Sequence, residues 1–524
     1  MSEELRHHDD SNVDRPFSAV WIVLSVLFLL PVVFTDHLPI QDIPTHLAII
    51  KTLADQDATP GWDEHFEDRL SLRPYVTYYA SGVQLARWFG ADVANRILLA
   101  IYLLLLPLSF LSLVLAVDRS RRWVGVLGFL LVYSDLYLLG FTNYMLSVPM
   151  VLFASAVALR LARHDVGGYR LVALLAVLAL LIYFTHPFSL AVLLLILATL
   201  LCFSIRRWRR LVWVGGALAP AVLILTVWLL REGTQPGFVR FPLGFKLEYL
   251  LRTPVMVLEN PDNLALYGAV LLSALLVVLA VVNAVRSGSA QRSIRAALKP
   301  PNAPVLVGLV AFTILFFAAP SAIGATIWFD LRLAAFVWIF VFLVWGHRVT
   351  AGRLGKALTL ALCLVSLIGV GRMHRDFSRE IDPLFSVLDQ MEPGRRVLPI
   401  VLDPTSKAIE PFYFRKRVIP FSTPYAHFGS YYHLEKGGES PWMTFWAGLD
   451  WIPLGLRNPI HVKMFRLTDP FQPIRLLRIL PEVAPQFDYL LVRGSDRGTS
   501  AWIERFAVLR SQAGPFFLYE IEGR

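Results

Sequence analysis

The sequence has few charged residues and almost no cysteine. Only 17% of its 524 residues are charged and two are cysteine, whereas 56% are hydrophobic. Two cysteines exclude a small scaffold held together by disulfides. A soluble domain contains about 45–50% apolar and about 25% charged residues, so this composition excludes a water-soluble or disordered chain and indicates a membrane protein.

The sequence also lacks the motifs of nucleotide-dependent and zinc enzymes. It contains no Walker loop, no GxGxxG, no HExxH and no paired CxxC. The short connections between its apolar stretches leave no room for an ATPase domain, so any chemistry must use a substrate that already carries its own energy. In a membrane protein, a net charge of +10 is explained by basic residues that accumulate in cytoplasmic loops. We therefore do not expect nucleic acid as a partner.

About eleven apolar stretches approach the length of about 20 residues that a helix needs to cross a bilayer. They lie near 17–35, 93–117, 124–140, 142–160, 171–186, 187–205, 211–230, 264–285, 303–319, 331–346 and 357–371. An acidic, His-rich tail precedes the first stretch and no small-residue cleavage site follows it. We therefore expect an uncleaved anchor helix rather than a signal peptide.

Basic residues are distributed unevenly between the connections. Five connections, near 118–123, 160–170, 206–210, 286–302 and 347–356, are rich in Arg and Lys, whereas the short turns near 140–143, 185–187 and 320–330 contain neither. By the positive-inside rule, the N-terminus lies in the cytoplasm. The abundance of Arg over Lys is typical of GC-rich bacterial coding, so we expect a multi-pass protein of the bacterial plasma (inner) membrane.

This orientation places two long loops, 36–92 and 231–263, on the extracytoplasmic side. The aromatic stretch 75–89 is then an interfacial helix, because counting it as a span would move the basic connections to the outside. The second loop interleaves aromatic residues with basic ones such as Lys246. That pattern is typical of a site that binds a lipid phosphate, and equally of an amphipathic helix that rests on the membrane.

No stretch beyond residue 371 is long and apolar enough to span. Short apolar runs at 397–402, 412–414, 489–492 and 516–521 alternate with Pro, Gly and charges, as strands do. We therefore predict a polytopic α-helical membrane protein with a transmembrane domain at 1–371 and an extracytoplasmic α/β domain at 372–524.

Polar residues in the loop after the first span form the most informative motif. Asp36, Asp42 and His46 lie close in sequence, and Pro44 favours a helix start that places Asp42 near the N-cap and His46 one turn later. A carboxylate and an imidazole would then lie close together at the bilayer surface. In the alternative interpretation, Asp42 only caps an interfacial helix and His46 faces lipid headgroups.

Further polar residues lie at the predicted outer ends of other spans. They are Asp135, Asn143, Tyr144, His186, Asp330 and Arg332. Ionisable groups at membrane depth are costly and usually functional, and their common depth favours a shared cavity. Taken singly, each also fits a turn residue or an anchor at the membrane surface.

This pattern resembles the GT-C superfamily of integral-membrane glycosyltransferases, which includes protein O-mannosyltransferases and aminoarabinose transferases of lipid A. The motif at 42–46 (Asp-Ile-Pro-Thr-His) resembles the acidic loop with its downstream His. Segments 73–79 and 89–96 resemble the second interfacial helix and the Arg that opens the next span. The likeness covers about 15–370 in architecture and is sharp over about 36–100.

Many members carry two adjacent acidic residues in this loop, whereas here Gln41 precedes Asp42. This departure argues against a strict metal site, although Asp36 is a possible substitute for the second carboxylate. We therefore expect no cofactor; a divalent metal stays possible, although the sequence does not support one.

The resemblance implies an inverting transfer of a sugar from a polyprenyl-phosphate-linked donor to an extracytoplasmic glycan, lipid or protein. Asp42 would be the general base, and His46 would bind acceptor or phosphate. Arg332 is the first candidate for the donor phosphate, followed by Arg73 and His186. The remaining substrate-binding candidates are Asp36, Asn143, Tyr144, Asp330 and Asp135.

Two other functions stay open. A transporter or lipid flippase usually has its polar site near the midplane of repeated halves, whereas here the polar residues gather at one end and no repeat is visible. The second is a non-catalytic scaffold in envelope polysaccharide assembly that keeps the GT-C fold. Its sequence pattern would be the same as that of the enzyme.

Overall fold

The computed structural model describes most of the chain. The described residues are 10–59, 61–163, 168–202, 208–232, 238–253, 302–323, 326–409, 423–443, 452–460, 463–464, 473–494 and 497–521. The predicted span at 264–285 and the predicted strand at 412–414 lie outside them.

Helices dominate the described residues. They are α1 (Asp10–Val33), α2 (Ile43–Ala54), α3 (Trp62–His65), α4 (Val76–Phe89), α5 (Ala91–Val117), α6 (Asp135–Leu139), α7 (Thr142–Arg163), α8 (Gly168–Thr185), α9 (Pro187–Leu201), α10 (Trp208–Glu232), α11 (Leu243–Arg252), α12 (Asn302–Ala318), α13 (Leu331–Val349), α14 (Arg353–Leu388), α15 (Ser430–Lys436), α16 (Pro473–Val483) and α17 (Arg497–Ile503). Short 3₁₀ segments occupy Gln56–Ala58, Arg119–Leu131 and Ala484–Gln486.

The helical part is that of a multi-pass membrane protein. In the described part of the chain, eight helical segments are long and apolar enough to cross a bilayer, and α9 and α12 are shorter apolar helices at two further predicted spans. Ten of the eleven predicted spans thus coincide with helical segments. The predicted interfacial segment 75–89 is helical as α4, and Gly90 ends it with a positive φ of 81° that suits glycine.

Within the described part of the chain, strands form three small sheets. The strands are β1 (Phe66–Asp68), β2 (Phe238–Val239), β3 (Ala322–Ile323), β4 (Thr326–Ile327), β5 (Val397–Val401), β6 (Leu454–Leu456), β7 (Tyr489–Arg493), β8 (Ala507–Ala513) and β9 (Phe516–Ile521). β1 pairs with β6, and β2, β3 and β4 form a second sheet. The largest sheet has the order β5-β7-β9-β8, in which β5 and β7 are parallel and the other neighbours antiparallel.

The C-terminal sheet confirms the α/β character predicted from the sequence. Three predicted strands are present as β5, β7 and β9, whereas β8 was not predicted, because its mixed polar pattern lacks a clear alternation. Every residue of β5 and β7 is buried, as expected of parallel strands covered on both faces. Leu398, Leu480, Phe487 and Leu490 belong to the hydrophobic core of this sheet.

The chain folds into two compact units. The first comprises Met1–Pro31, Ala100–Leu136 and Asn143–Gly371, and the second comprises Val32–Leu99, Tyr137–Thr142 and Arg372–Arg524. The second unit therefore joins the loop after α1 to the C-terminal part of the chain. Pairing of β1 with β6 is one such link, from Phe66↔Leu456 to Asp68↔Leu454.

Arg96 organises the beginning of the second unit. Its guanidinium donates to the carbonyl oxygens of Val32, Thr35 and Asp36, each at 2.6 Å, and pairs with Asp92 at 2.6 Å. The last carbonyls of a helix lack intrahelical partners. A basic side chain that donates hydrogen bonds to carbonyls at this end of α1 therefore fixes where the chain leaves the helix. The loop that follows leads directly to Asp42.

Candidate functional site

Asp42 lies at the start of α2, in the loop after α1. Its backbone occupies the N-cap with φ −89° and ψ −5°, Pro44 lies in the first turn, and the Asp42 carbonyl accepts the His46 N–H at 3.0 Å. The placement predicted from Pro44 is therefore found. The Asp42 carboxylate makes no capping hydrogen bond, so it does not serve as a simple helix cap.

His46 is buried within the second unit, and both ring nitrogens have protein partners. Nε2 donates to the Gly140 carbonyl at 3.0 Å, because a carbonyl only accepts, and Nδ1 lies 2.9 Å from the Tyr79 hydroxyl. Burial lowers the pKa of His46 to about 4, so the ring is neutral near pH 7. Burial also raises the pKa of Tyr79 well above its usual value, so the phenol keeps its proton and donates to Nδ1. His46 therefore does not face lipid headgroups.

Gly140 lies against the backbone of Asp42. It has a φ of +83°, and a Cβ placed on it would lie 2.8 Å from Asp42 Cβ and 3.0 Å from Asp42 N. The Gln41 N–H donates to the Leu138 carbonyl at 2.8 Å in the same region. Only glycine allows both this conformation and this approach. The segment 137–142 therefore holds Asp42 from one side.

A turn from the C-terminal part of the chain lies beside the same loop. The side-chain oxygen of Gln41 accepts the Thr423 N–H at 2.7 Å and the Thr423 hydroxyl at 2.9 Å. His427 Nε2 lies 3.4 Å from Asp42 Oδ1, and the Gln41 amide donates to that oxygen at 3.2 Å. His427 and Thr423 are not predictable from the sequence, because more than 380 residues separate them from Gln41 and Asp42.

Asp36 and Arg73, two further predicted site residues of the second unit, are both exposed. The backbone of Asp36 accepts from Arg96, while its side chain is at the surface. Arg73 precedes α4, and its N–H donates to the Ser71 carbonyl at 2.7 Å. Both are therefore more accessible than Asp42, whose side chain is 13% exposed.

In the first unit, Arg332, His186 and Tyr144 are in direct contact. An Arg332 guanidinium nitrogen lies 3.2 Å from His186 Nε2, and its guanidinium carbon lies 5.6 Å from the centre of the Tyr144 ring. The Tyr144 hydroxyl also donates to the Arg332 carbonyl. A guanidinium can only donate, so His186 Nε2 accepts and the imidazole is neutral.

Asp330 has different partners in the same unit. Its carboxylate pairs with Lys246 at 2.8 Å, accepts the Ser321 hydroxyl at 2.7 Å and caps α13 through the Leu331 N–H at 2.9 Å. Lys246 also donates to carbonyls at the end of α12, including that of Ala319 at 2.6 Å. Because Lys246 is buried and paired, it is not the lipid-facing cation that the sequence suggested as one possibility.

Asp135 and Asn143 are buried in the first unit as well. Asp135 accepts a hydrogen bond from Tyr249, and burial and the nearby Asp135 charge raise the pKa of that phenol well above its usual value. Asp135, Tyr144 and Asp330 all act electrostatically on Tyr249. Five predicted residues thus fall in one polar region of the first unit: Asp135, Tyr144, His186, Asp330 and Arg332.

The described residues offer no arrangement of three or more His, Cys, Asp or Glu side chains that could hold a metal ion. The nitrogens beside the Asp42 carboxylate are the His427 imidazole at 3.4 Å and the Gln41 amide at 3.2 Å, and an amide N–H donates hydrogen bonds and does not ligate a metal ion.

We expect Gly140→Ala to lower the free energy of unfolding by about 1–3 kcal/mol, because the added Cβ meets Asp42 and the left-handed backbone disfavours alanine. Thermal unfolding in detergent measures the change. Gly371→Ala is the matched control, since a Cβ there meets nothing within 4 Å. Equal melting temperatures for Gly140→Ala and the unaltered protein would contradict the close approach.

No protein family model matches the sequence, and no curated protein matches it either. Solved structures do match in fold. The aminoarabinose transferase ArnT from Cupriavidus metallidurans matches in the apo state with a TM-score of 0.54 and 8% identity, over 97% of this chain and 98% of that one. The same protein bound to undecaprenyl phosphate matches with a TM-score of 0.52 and 9% identity, over 96% and 98%.

A third similar structure is the arabinofuranosyltransferase AftD from Mycobacteria, in a mutant form. Its TM-score is 0.50 and its identity 13%, over 98% of this chain and 42% of that larger one. At such low identities the likeness concerns the fold. The chain therefore has the GT-C fold of membrane glycosyltransferases.

Proposed function

We propose that this chain transfers a sugar from a polyprenyl-phosphate-linked donor to an extracytoplasmic acceptor, which is a glycolipid, a polysaccharide or a protein. The observation that carries the proposal is the placement of Asp42 in the loop after α1, where backbone contacts from Gly140 and the N-cap geometry fix a partly accessible carboxylate. The similarity in fold to ArnT and AftD over nearly the whole chain supports the same kind of function.

In this proposal Asp42 is the general base of a single inverting displacement. The acceptor hydroxyl loses its proton to Asp42 as its oxygen bonds to the anomeric carbon. The bond from that carbon to the phosphate oxygen breaks, and its electron pair stays on the polyprenyl phosphate. A carboxylate suits this role because the hydroxyl becomes acidic only as the new bond forms.

The donor phosphate is assigned to Arg332, with His186 and Tyr144 beside it. A guanidinium binds phosphate oxygens with two parallel hydrogen bonds, which a lysine ammonium cannot make with the same planar geometry. A small cavity of about 10 Å³ lies next to Tyr144, and its mostly apolar walls include Leu106 and Ile339. ArnT has been solved with undecaprenyl phosphate bound, which is the donor chemistry proposed here.

His46 is proposed as a positioning residue, because its nitrogens bond to Gly140 and Tyr79. Arg73 and Asp36 are exposed residues that would meet the donor phosphate or the acceptor at the surface. Asn143, Asp135 and Asp330 are proposed to shape the polar region of the first unit around bound substrate.

We further propose a location in the bacterial plasma membrane, with the N-terminus in the cytoplasm and the C-terminal part outside. Membrane lipids and the lipid-linked donor are then its immediate partners. The uneven distribution of basic connections supports this orientation. A divalent metal and nucleic acid have no part in the proposal.

One observation favours a second candidate, a non-catalytic scaffold in envelope polysaccharide assembly. Asp42 already has His427 and Gln41 as partners, as a purely structural carboxylate would. The scaffold and the enzyme differ in one property: only the enzyme releases undecaprenyl phosphate from a sugar donor.

We expect Asp42→Asn to reduce turnover at least about 100-fold, because the amide cannot accept the proton that a general base removes. The assay uses the protein in lipid nanodiscs with synthetic undecaprenyl-phosphate-linked pentoses and hexoses, and follows undecaprenyl phosphate release to water or added glycan. Asp57→Asn, at an exposed carboxylate after the end of α2, is the control and should leave turnover unchanged. Turnover in Asp42→Asn equal to that of the unaltered protein rules out Asp42 as the base.

We expect Arg332→Gln to raise the KM for the donor at least about 10-fold, because glutamine removes the charge that faces the phosphate. Arg348→Gln, in the last turn of the same helix α13, is the matched control and leaves KM unchanged. Melting temperatures of both variants separate a binding defect from a folding defect. A lower melting temperature with an unaltered KM would make Arg332 a structural anchor only.

A further inference from the structure

The turn before α15 lies against the start of α2. Thr423 donates twice to the side-chain oxygen of Gln41, at 2.7 and 2.9 Å, and the hydroxyls of Ser430 and Thr45 are 3.4 Å apart. Both ends of the segment 423–430 thus have partners in or next to α2, within the second unit. His427, near the middle of this segment, is therefore held beside Asp42.

His427 contacts one of the two carboxylate oxygens of Asp42. Its Nε2 lies 3.4 Å from Oδ1, and the Gln41 amide donates to the same oxygen at 3.2 Å. The His427 side chain is 7% exposed, so water does not compete strongly for the imidazole. Both contacts hold Oδ1, which leaves Oδ2 as the oxygen that an acceptor hydroxyl meets.

We propose that His427 is a positioning residue for Asp42, supplied by the C-terminal part of the chain. This inference rests on the proposed function and deepens it. An imidazole N–H directed at Oδ1 fixes the rotation of the carboxylate, so that Oδ2 points to the acceptor hydroxyl. The proton passes from the acceptor oxygen to Oδ2 and then to water, while the imidazole keeps its own proton.

The proposed role of His427 requires an N–H that adds a second contact to Oδ1 beside that of the Gln41 amide. Glutamine retains an N–H donor of similar reach, whereas leucine fills similar space without one. The pair His427→Gln and His427→Leu therefore separates the hydrogen bond from packing. The same substitutions at His433 provide a matched control, because that buried imidazole of α15 bonds to Thr52 at 2.8 Å instead.

The experiment measures release of undecaprenyl phosphate from the donors named above, together with melting temperatures. We expect His427→Leu to lower kcat at least about 10-fold with the donor KM unchanged within about threefold, and His427→Gln to recover most of the loss. Neither variant at His433 should change kcat by more than about threefold. The double variant of Asp42→Asn with His427→Leu should be no slower than Asp42→Asn alone, because the two residues act as one unit.

Three results would overturn the inference. The first is an unaltered kcat in a folded His427→Leu protein, and the second is a kcat in His427→Gln as low as that in His427→Leu. If leucine prevents folding, His427→Ala takes its place with the same expectation. The third is a lack of donor turnover in the unaltered protein, which overturns the proposed function as well, whereas the first two leave that function standing.

Discussion

The position of Asp42 depends on the buried imidazole of His46. A buried polar group that loses water needs partners within the protein, and His46 finds them in Tyr79 and in the Gly140 carbonyl. The bond to Gly140 holds the segment 137–142 against the loop that carries Asp42. Gly140 in turn lies directly against the Asp42 backbone. A substitution at His46 or at Gly140 therefore alters where the Asp42 carboxylate lies.

Buried polar groups of the first unit also need partners within the protein, and its two buried cations, Lys246 and Arg332, have different ones. Lys246 is neutralised by Asp330, and helix-end carbonyls take its remaining hydrogen bonds. Arg332 instead contacts the His186 imidazole and the Tyr144 ring. Ionisable groups at membrane depth are costly and usually functional. Because a guanidinium can bind phosphate oxygens through two parallel hydrogen bonds, Arg332 is the better candidate for an anionic headgroup.

Long apolar stretches made most of the membrane helices predictable, because hydropathy over about 20 residues is a strong local signal. The helix that begins after Asp42 was also predictable, since Pro44 and an acidic N-cap are local cues. His427 and Gly140 were not, because their roles depend on contacts between segments far apart in sequence. The sequence likewise left Lys246 ambiguous, since a basic residue among aromatics looks the same whether it meets lipid or a buried carboxylate.

The central claim is that the chain carries out an inverting sugar transfer from a polyprenyl phosphate. The most direct measurement is time-resolved NMR of the anomeric configuration of the sugar after its transfer from an undecaprenyl-phosphate-linked donor to water or added glycan, recorded before any free sugar mutarotates. A single displacement with Asp42 as base predicts that the first product has the opposite configuration to the donor. A first product that retains the donor configuration would contradict this mechanism, and the absence of transfer to either acceptor would contradict the transferase itself.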